Sequence, residues 1–145
     1  PGVVQRYLGK ISGPLLDRID LHVEVTPVAF NELSGTRTSE KSETIRERVI
    51  KAREIQAERY KNYPGIYSNA QISSKMLKEI CVINAASMNL LKTAMEKLSL
   101  SARAYDRILK VSRTIADLDG SVEIKSEHLA EAIQYRSLDR EAWGG

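Results

Sequence analysis

The sequence predicts a mainly α-helical protein, a bundle of four or five helices preceded by one short helix and one strand. Apolar residues recur at helical spacing through most of the chain after residue 42. Residues that favour helix N-caps, or Gly and Pro that end helices, punctuate these segments. A period-two alternation of apolar and polar residues occurs earlier, over residues 20–26.

The predicted short helix covers residues 3–11, and Ser12-Gly13-Pro14 breaks it. The alternation places Leu21, Val23 and Val25 on one face of the strand, with His22 and Glu24 on the polar face, and Pro27 ends it. Residues 30–41 are rich in Ser, Thr, Gly and charge, which is typical of a linker.

Five further helices are predicted from their apolar stripes and their ends. Ser42, Asn84 and Ser101 are expected N-caps, and Gly120 is an expected C-terminal stop. The first of these helices has the stripe Ile45, Val49, Ala52 and Ile55. The predicted spans are 42–63, 73–81, 84–97, 101–118 and 126–136.

Composition indicates an ordinary soluble protein. The 145 residues are 42% hydrophobic and 28% charged, with a net charge of +3. A single cysteine, Cys81, excludes an internal disulfide and fits a reducing compartment, and its apolar setting predicts a buried small hydrophobe. No apolar run is long enough to span a membrane, so a cytoplasmic location is expected.

The predicted helix over 42–63 is dense in arginine and lysine, which raises the possibility of a nucleic-acid surface. Glutamates are interleaved with these cations, several at i, i+4 spacing. The interleaving favours a solvated face whose charges pair with one another.

Arg18 is the first candidate functional residue. It follows the Gly13-Pro14 turn and directly precedes the predicted strand, so a rigid element can present it outward. A guanidinium is always charged and offers planar, forked donors that suit phosphate. The alternative is a surface arginine that pairs with Asp17 or Asp20.

Arg103 is the second candidate. It lies in the first turn after the expected Ser101 cap, where unpaired backbone amides and the helix dipole favour an anion. The alternative is an ion pair with Asp106 on the same helix. For Arg107, one turn later, a salt bridge is the expected role.

Residues 6–25 (RYLGKISGPLLDRIDLHVEV) resemble the end of the ATPase core in magnesium chelatase subunit I–like AAA+ proteins. The branch that they most resemble includes competence-associated bacterial DNA helicases. Residues 100–118 (LSARAYDRILKVSRTIADL) are similar to the sensor 2 helix of that family, and residues 127–136 to its C-terminal helix. The resemblance implies a core end at 1–29, a hinge at 30–41 and a helical lid domain at 42–145.

The resemblance also implies the roles of the two arginines. Arg18 would be an arginine finger that acts in trans on the nucleotide of a neighbouring subunit, and Arg103 would be sensor 2, contacting nucleotide phosphate. The family's cofactor is ATP with Mg²⁺, and its partners are identical subunits in a ring, six by the family's pattern, together with DNA. No membrane partner is implied.

The sequence contains no phosphate-binding loop of the form G-x-x-x-x-G-K-[ST]. The spacing around Gly2 and Gly9-Lys10 is two residues too long, and Ile11 stands where a hydroxyl belongs. We therefore expect this segment to be a C-terminal fragment that alone binds no cofactor and hydrolyses no ATP.

The remaining polar candidates predict no metal site. Asp17 and Asp20 flank Arg18 and are expected to position it. His22 and His128 are isolated histidines without acids at ligand spacing.

Two other functions stay open at this point. One is a motor subunit of a chelatase-type complex that acts on a protein partner. The other is a stand-alone helical interaction module, in which both arginines are structural. A stand-alone module should close its core without exposing apolar residues near 3–25.

Overall fold

The computed structural model describes residues 10–23, 25, 27 and 39–136, and these form a mainly helical bundle, which confirms the predicted fold class. None of the described helices is both long and apolar enough to cross a bilayer. The helices are α1 (Gly13–Leu16), α2 (Ser42–Tyr60), α3 (Ser74–Ile80), α4 (Ala85–Lys97), α5 (Ala102–Leu118) and α6 (Ser126–Gln134), with a 3₁₀ turn at Asn69–Gln71.

Helix α5 is the centre of the bundle. It packs against α2, α3, α6 and the 3₁₀ turn, while α4 packs on α6. Its buried face includes Ile108, Leu109 and Ala116. Leu91 of α4 and Leu129 of α6 complete the middle of the core, each at most 1% exposed. Burying a leucine side chain contributes about 1.5–3 kcal/mol, so this face holds the helices together.

The helix ends follow the sequence signals in most places. Asn84 and Ser101 cap α4 and α5, because their side chains accept hydrogen bonds from the backbone N–H of Ser87 and Ala104. Gly120 ends α5 in the left-handed region, with φ +68°. The Ser42 prediction is wrong: Lys41 occupies the N-cap position, and its side chain makes no capping hydrogen bond.

The predicted apolar stripe of α2 is wrong apart from Ala52. Ile45, Val49 and Ile55 are 43%, 48% and 37% exposed. The buried residues are instead Ala52, Gln56 and Tyr60, at intervals of four. Polar side chains of α2 bond to the 3₁₀ turn and α5, so tertiary contacts and not hydrophobicity alone decide which face is buried. The helix also ends at Tyr60, three residues before the predicted end.

The charged face of α2 is exposed, as predicted, but the prediction that its charges pair with one another is largely wrong. In the described part of the chain, one ion pair joins two side chains of this region, Lys61 to Glu58. Arg48 pairs with Glu40, which precedes the helix. Arg59 turns inward to Asp117.

The predicted strand is not formed by the described residues of 20–26. Leu21, Val23 and Val25 are 47%, 65% and 87% exposed, whereas His22 is buried at 5%. The alternation therefore exists, but its polar residue faces the bundle. A strand needs a hydrogen-bonding neighbour, and the backbone N–H of His22 donates instead to the carbonyl of Tyr135, at 2.7 Å.

The break predicted at Ser12-Gly13-Pro14 is partly replaced by helix. Gly13 and Pro14 open α1, where proline is tolerated because it donates no hydrogen bond. Of the predicted helix over 3–11, residues 3–9 lie outside the described residues, and Lys10 and Ile11 form a turn.

Candidate functional site

Arg18 lies in the turn that directly follows α1. The carbonyl of Ser12 accepts from the N–H of Leu15 and Leu16, and the N–H of Arg18 donates to Leu15, at 3.0 Å. The guanidinium donates to the carbonyl of Pro14 at 2.8 Å and is exposed. Within the described residues it forms no ion pair with Asp17 or Asp20, so the alternative expected from the sequence is not observed.

The Arg18 turn is fixed to the end of α6. Arg136 is 1% exposed, and its guanidinium donates to the carbonyl of Ile19. A second guanidinium nitrogen of Arg136 lies 3.9 Å from the carboxylate of Asp17. Nε2 of His22 lies 3.4 Å from the carbonyl of Leu16. These contacts tie the turn to the end of α6, and the positioning role of Asp17 stays a prediction.

An ion pair joins the same turn to α5. The carboxylate of Asp20 accepts from the guanidinium of Arg107, and the two side chains are 47% and 34% exposed. Arg107 lies one turn beyond Arg103 on α5. The salt bridge expected of Arg107 is therefore formed, and its partner is the acid expected to position Arg18.

Arg103 is the second residue of α5 and is exposed. Asp106, its expected alternative partner, accepts a hydrogen bond from the Ser74 hydroxyl at 2.7 Å. In the regions that the structure describes, no hydrogen bond or ion pair involves the Arg103 side chain. The guanidinium thus stands at a helix N-terminus without a neutralising carboxylate. The structure joins the elements that carry Arg18 and Arg103, but no hydrogen bond links the two side chains.

The structure also contains a buried polar cluster that was not predicted. The carboxylate of Asp117, 0% exposed, accepts two hydrogen bonds from Arg59, at 2.5 and 2.8 Å. Arg113 donates to it at 3.1 Å and Asn69 at 2.9 Å. This carboxylate raises the pKa of the Arg59 guanidinium. The Asp117 cluster (Arg59, Asn69, Arg113 and Asp117) thus ties α2 and the 3₁₀ turn to α5.

One signal for the Asp117 cluster is present in the sequence. Arg113 and Asp117 are four residues apart on a helix, which favours an ion pair. Their burial could not be read from that spacing. Arg59 and Asn69 reach the cluster only through tertiary packing.

A second group of ionisable residues lies at the start of α6. Asp119, Glu127 and His128 offer ligand atoms within 4.8 Å of one another. Nδ1 of His128 accepts from the N–H of Lys125 at 3.1 Å, so its Nε2 carries the proton and faces Asp119, at 3.2 Å. The ammonium of Lys125 lies 3.7 Å from Asp119 and 3.5 Å from Glu127. The prediction that His128 is isolated from acids is therefore wrong, because the fold brings Asp119 to its ring. Both ring nitrogens are engaged by protein groups, and the single ammonium of Lys125 lies near both acids.

Cys81 is buried and free, as the sequence predicts. Burial raises the pKa of its thiol to about 11. A thiol with so high a pKa is almost entirely protonated near neutral pH, which makes it a poor nucleophile.

Comparison with known proteins gives family matches over both parts of the chain. The family model for the C-terminal region of magnesium chelatase subunit ChlI matches residues 39–136, and the model for magnesium chelatase subunit ChlI matches residues 1–33. The competence protein ComM of Haemophilus influenzae is 46% identical over 97% of this chain. The uncharacterized protein YifB of Escherichia coli is 40% identical over the same share.

The chain spans 27% of the length of each of these two relatives. An uncharacterized protein of Mycobacterium bovis is 38% identical over 91% of this chain, which spans 26% of it. The matching C-terminal model covers the whole helical bundle, from the residues before α2 to the end of α6. The chain therefore belongs to the magnesium chelatase subunit ChlI–like family of AAA+ proteins.

Proposed function

We propose that this chain supplies two phosphate-contacting arginines to the ATP site of a ring-forming AAA+ ATPase. Arg18 acts in trans as the arginine finger on nucleotide bound by the next subunit. Arg103 acts as sensor 2 and couples nucleotide state to the position of the helical bundle. ATP and Mg²⁺ are held by other parts of the intact protein, and the ring contains identical subunits, six by analogy with the family.

One observation carries the proposal. Arg18 and Arg103 are both exposed, and in the described part of the chain no carboxylate neutralises either of them. Asp20 and Arg107 join the elements that bear them. An exposed guanidinium on a fixed element can stabilise the charge of a transferring phosphoryl group without reorganising during the reaction.

The exposed apolar residues near the finger support a role within a larger protein. Leu15, Ile19, Leu21, Val23 and Val25 are between 41% and 87% exposed. A stand-alone interaction module would be expected to cover such a row. We propose that residues 1–29 belong to the ATPase core, that 30–41 form a hinge and that 42–145 form the lid.

We further propose that the intact protein acts on DNA in the cytoplasm, by unwinding or branch migration. The support is the resemblance to competence-associated helicases and the 46% identity to a competence protein. A chelatase-type motor that acts on a protein partner is the alternative within the same family.

Substitution of Arg18 in the intact protein tests the proposal. Arg18→Ala should retain ATP binding and lose turnover by on the order of 10³-fold, the usual scale for an arginine finger. Arg48→Ala removes another exposed arginine and should keep wild-type turnover. Unchanged turnover in Arg18→Ala would refute the finger assignment.

A further inference from the structure

A cleft of about 730 Å³ lies between α2 and the loop that follows it, on a part of the bundle that the proposed nucleotide site does not use. Its walls include Val49, Ile50 and Arg53 of α2, together with Tyr63 and Tyr67 of the loop. The two tyrosines are 39% and 68% exposed. Exposed aromatic rings beside an arginine form a surface on which planar, anionic ligands can stack.

The aromatic wall is held rigidly. The ring of Tyr63 meets that of Tyr60 edge to face, with centroids 6.3 Å apart. The hydroxyl of Tyr60 donates to Asn69 at 2.6 Å, which fixes that ring to the Asp117 cluster. The ring of Tyr63 thus stands on a buried, hydrogen-bonded neighbour and loses little freedom when a ligand stacks on it.

The loop that carries Tyr67 is also fixed. Gly65 has φ +80°, a conformation that favours glycine, and the N–H of Ile66 bonds to the carbonyl of Tyr63 at 3.1 Å. The N–H of Tyr67 donates to the side chain of Gln71 at 2.7 Å. The exposed Tyr67 ring therefore projects from an ordered backbone.

Two arginines on this face of α2 are available to contact an anion. Arg53 lines the cleft, and Arg46 lies seven residues earlier, two helical turns along the same face of α2. Neither has an ion-pair partner within the described residues. Lys61 also lines the cleft but pairs with Glu58, and Glu54 contributes one carboxylate. The unpaired cations are those that the sequence led us to expect in pairs with glutamate.

We propose that this cleft binds single-stranded DNA: bases stack on Tyr67 and Tyr63, and Arg53 and Arg46 contact the adjoining phosphates. Every base has a face that can stack, so the surface would distinguish single-stranded from duplex DNA but would not select a base sequence. This inference deepens the proposed function and rests on its assignment of DNA as the substrate. It places a strand-holding surface on the helical bundle, apart from the two arginines assigned to ATP.

The test is anisotropy of a fluorescein-labelled oligodeoxythymidylate of about 20 nucleotides, titrated with the chain in the absence of nucleotide, at salt from about 50 to 200 mM. Tyr67→Ala should weaken binding on the order of tenfold, while Tyr67→Phe, which keeps the ring, should bind like wild type. Arg53→Ala should reduce the slope of log K against log salt by about 0.7, the single-strand value for one phosphate contact. Lys92→Ala removes an exposed lysine of α4 and should leave the slope unchanged.

Each of three results would overturn the proposal: no binding of the oligonucleotide, wild-type affinity in Tyr67→Ala, or equal affinity for duplex and single strand. Since the assay contains no ATP, its outcome is independent of the arginine finger. Failure here with a turnover defect in Arg18→Ala would reject this site alone. Normal turnover in Arg18→Ala with Tyr67-dependent DNA binding would reject the arginine-finger assignment alone.

Discussion

Asp20 and Arg107 lie 87 positions apart in the sequence and form an ion pair between the Arg18 turn and α5. Arg107 is one helical turn from Arg103, so a single side-chain contact connects the elements that bear both candidate phosphate ligands. In a ring in which nucleotide state moves the helical bundle, this contact would transmit that movement to the finger. The ion pair would then matter more for the relative positions of the Arg18 turn and α5 than for the free energy of unfolding.

A double-mutant cycle tests this coupling. Asp20→Ala and Arg107→Ala should each lower the free energy of unfolding by about 1 kcal/mol or less, because the pair is partly exposed, and the double variant should lose no more than either single one. In the intact protein both should lower ATP turnover. The exposed Glu40–Arg48 pair is the control, since its loss should leave turnover unchanged. Fully additive effects of the two substitutions would mean that the pair is not coupled.

Asp117 should contribute far more to the free energy of unfolding than the Asp20–Arg107 pair does. Its removal leaves Arg59 and Arg113 without the carboxylate that compensates them, so Asp117→Ala should cost about 3–5 kcal/mol in urea denaturation. Glu47→Ala, which removes an exposed acid of α2, should stay within about 0.5 kcal/mol of wild type. A similar small loss for Asp117→Ala would show that the Asp117 cluster does not secure α2 to α5.

Cys81 should make the fold sensitive to alkaline pH. Burial raises its pKa to about 11 in the folded state, above the ordinary thiol value of 9.0, so ionisation favours the unfolded chain. The corresponding stability is fully present below pH 9 and declines as the pH rises toward about 11, by roughly 3 kcal/mol in total. Cys81→Ala should lack this component, so the stability gap between the two proteins should narrow over that range. A constant gap would contradict the shifted thiol pKa.

The sequence predicts the helices well where local signals and burial agree. Asn84, Ser101 and Gly120 mark helix ends with side chains or backbone conformations that act on their own neighbours. The core positions Leu91 and Leu129 also follow helical spacing. Such features depend on residues within one or two turns, which is why a single sequence suffices to find them.

The predictions from the sequence are wrong where residues that are distant in the chain determine which side chains are buried. The buried face of α2 follows Gln56 and Tyr60, whose polar atoms bond to Asn69 in the 3₁₀ turn. His22 is buried because the end of α6 accepts its backbone N–H, which no alternation pattern reveals. For the candidate site, the roles of Arg18 and Arg103 stay predictions from the sequence, whereas the ion pairing of Arg107 is confirmed. The sequence does not identify the partner, because Asp20 is brought near by the fold.

Arg103 should behave differently from an ordinary surface arginine. Arg103→Ala in the intact protein should impair hydrolysis and weaken the difference between ATP and ADP in ring assembly, with little loss of stability. Arg103→Lys should rescue only part of the activity, since it keeps the charge but loses the planar fork. Arg48→Ala serves as the control for removing a helix-surface arginine. Destabilisation with normal turnover would leave Arg103 a structural residue.

The central claim is that Arg18 completes the ATP site of a neighbouring subunit. The most direct measurement is ATP turnover in mixtures of Arg18→Ala subunits with subunits that are disabled in their own phosphate-binding loop. Neither protein alone should hydrolyse ATP at more than about a thousandth of the wild-type rate. Mixing should restore a substantial fraction of the activity, because an intact finger then meets an intact nucleotide site at some interfaces. If mixing restores nothing, or if Arg18→Ala alone turns over ATP like wild type, Arg18 is not an arginine finger acting in trans.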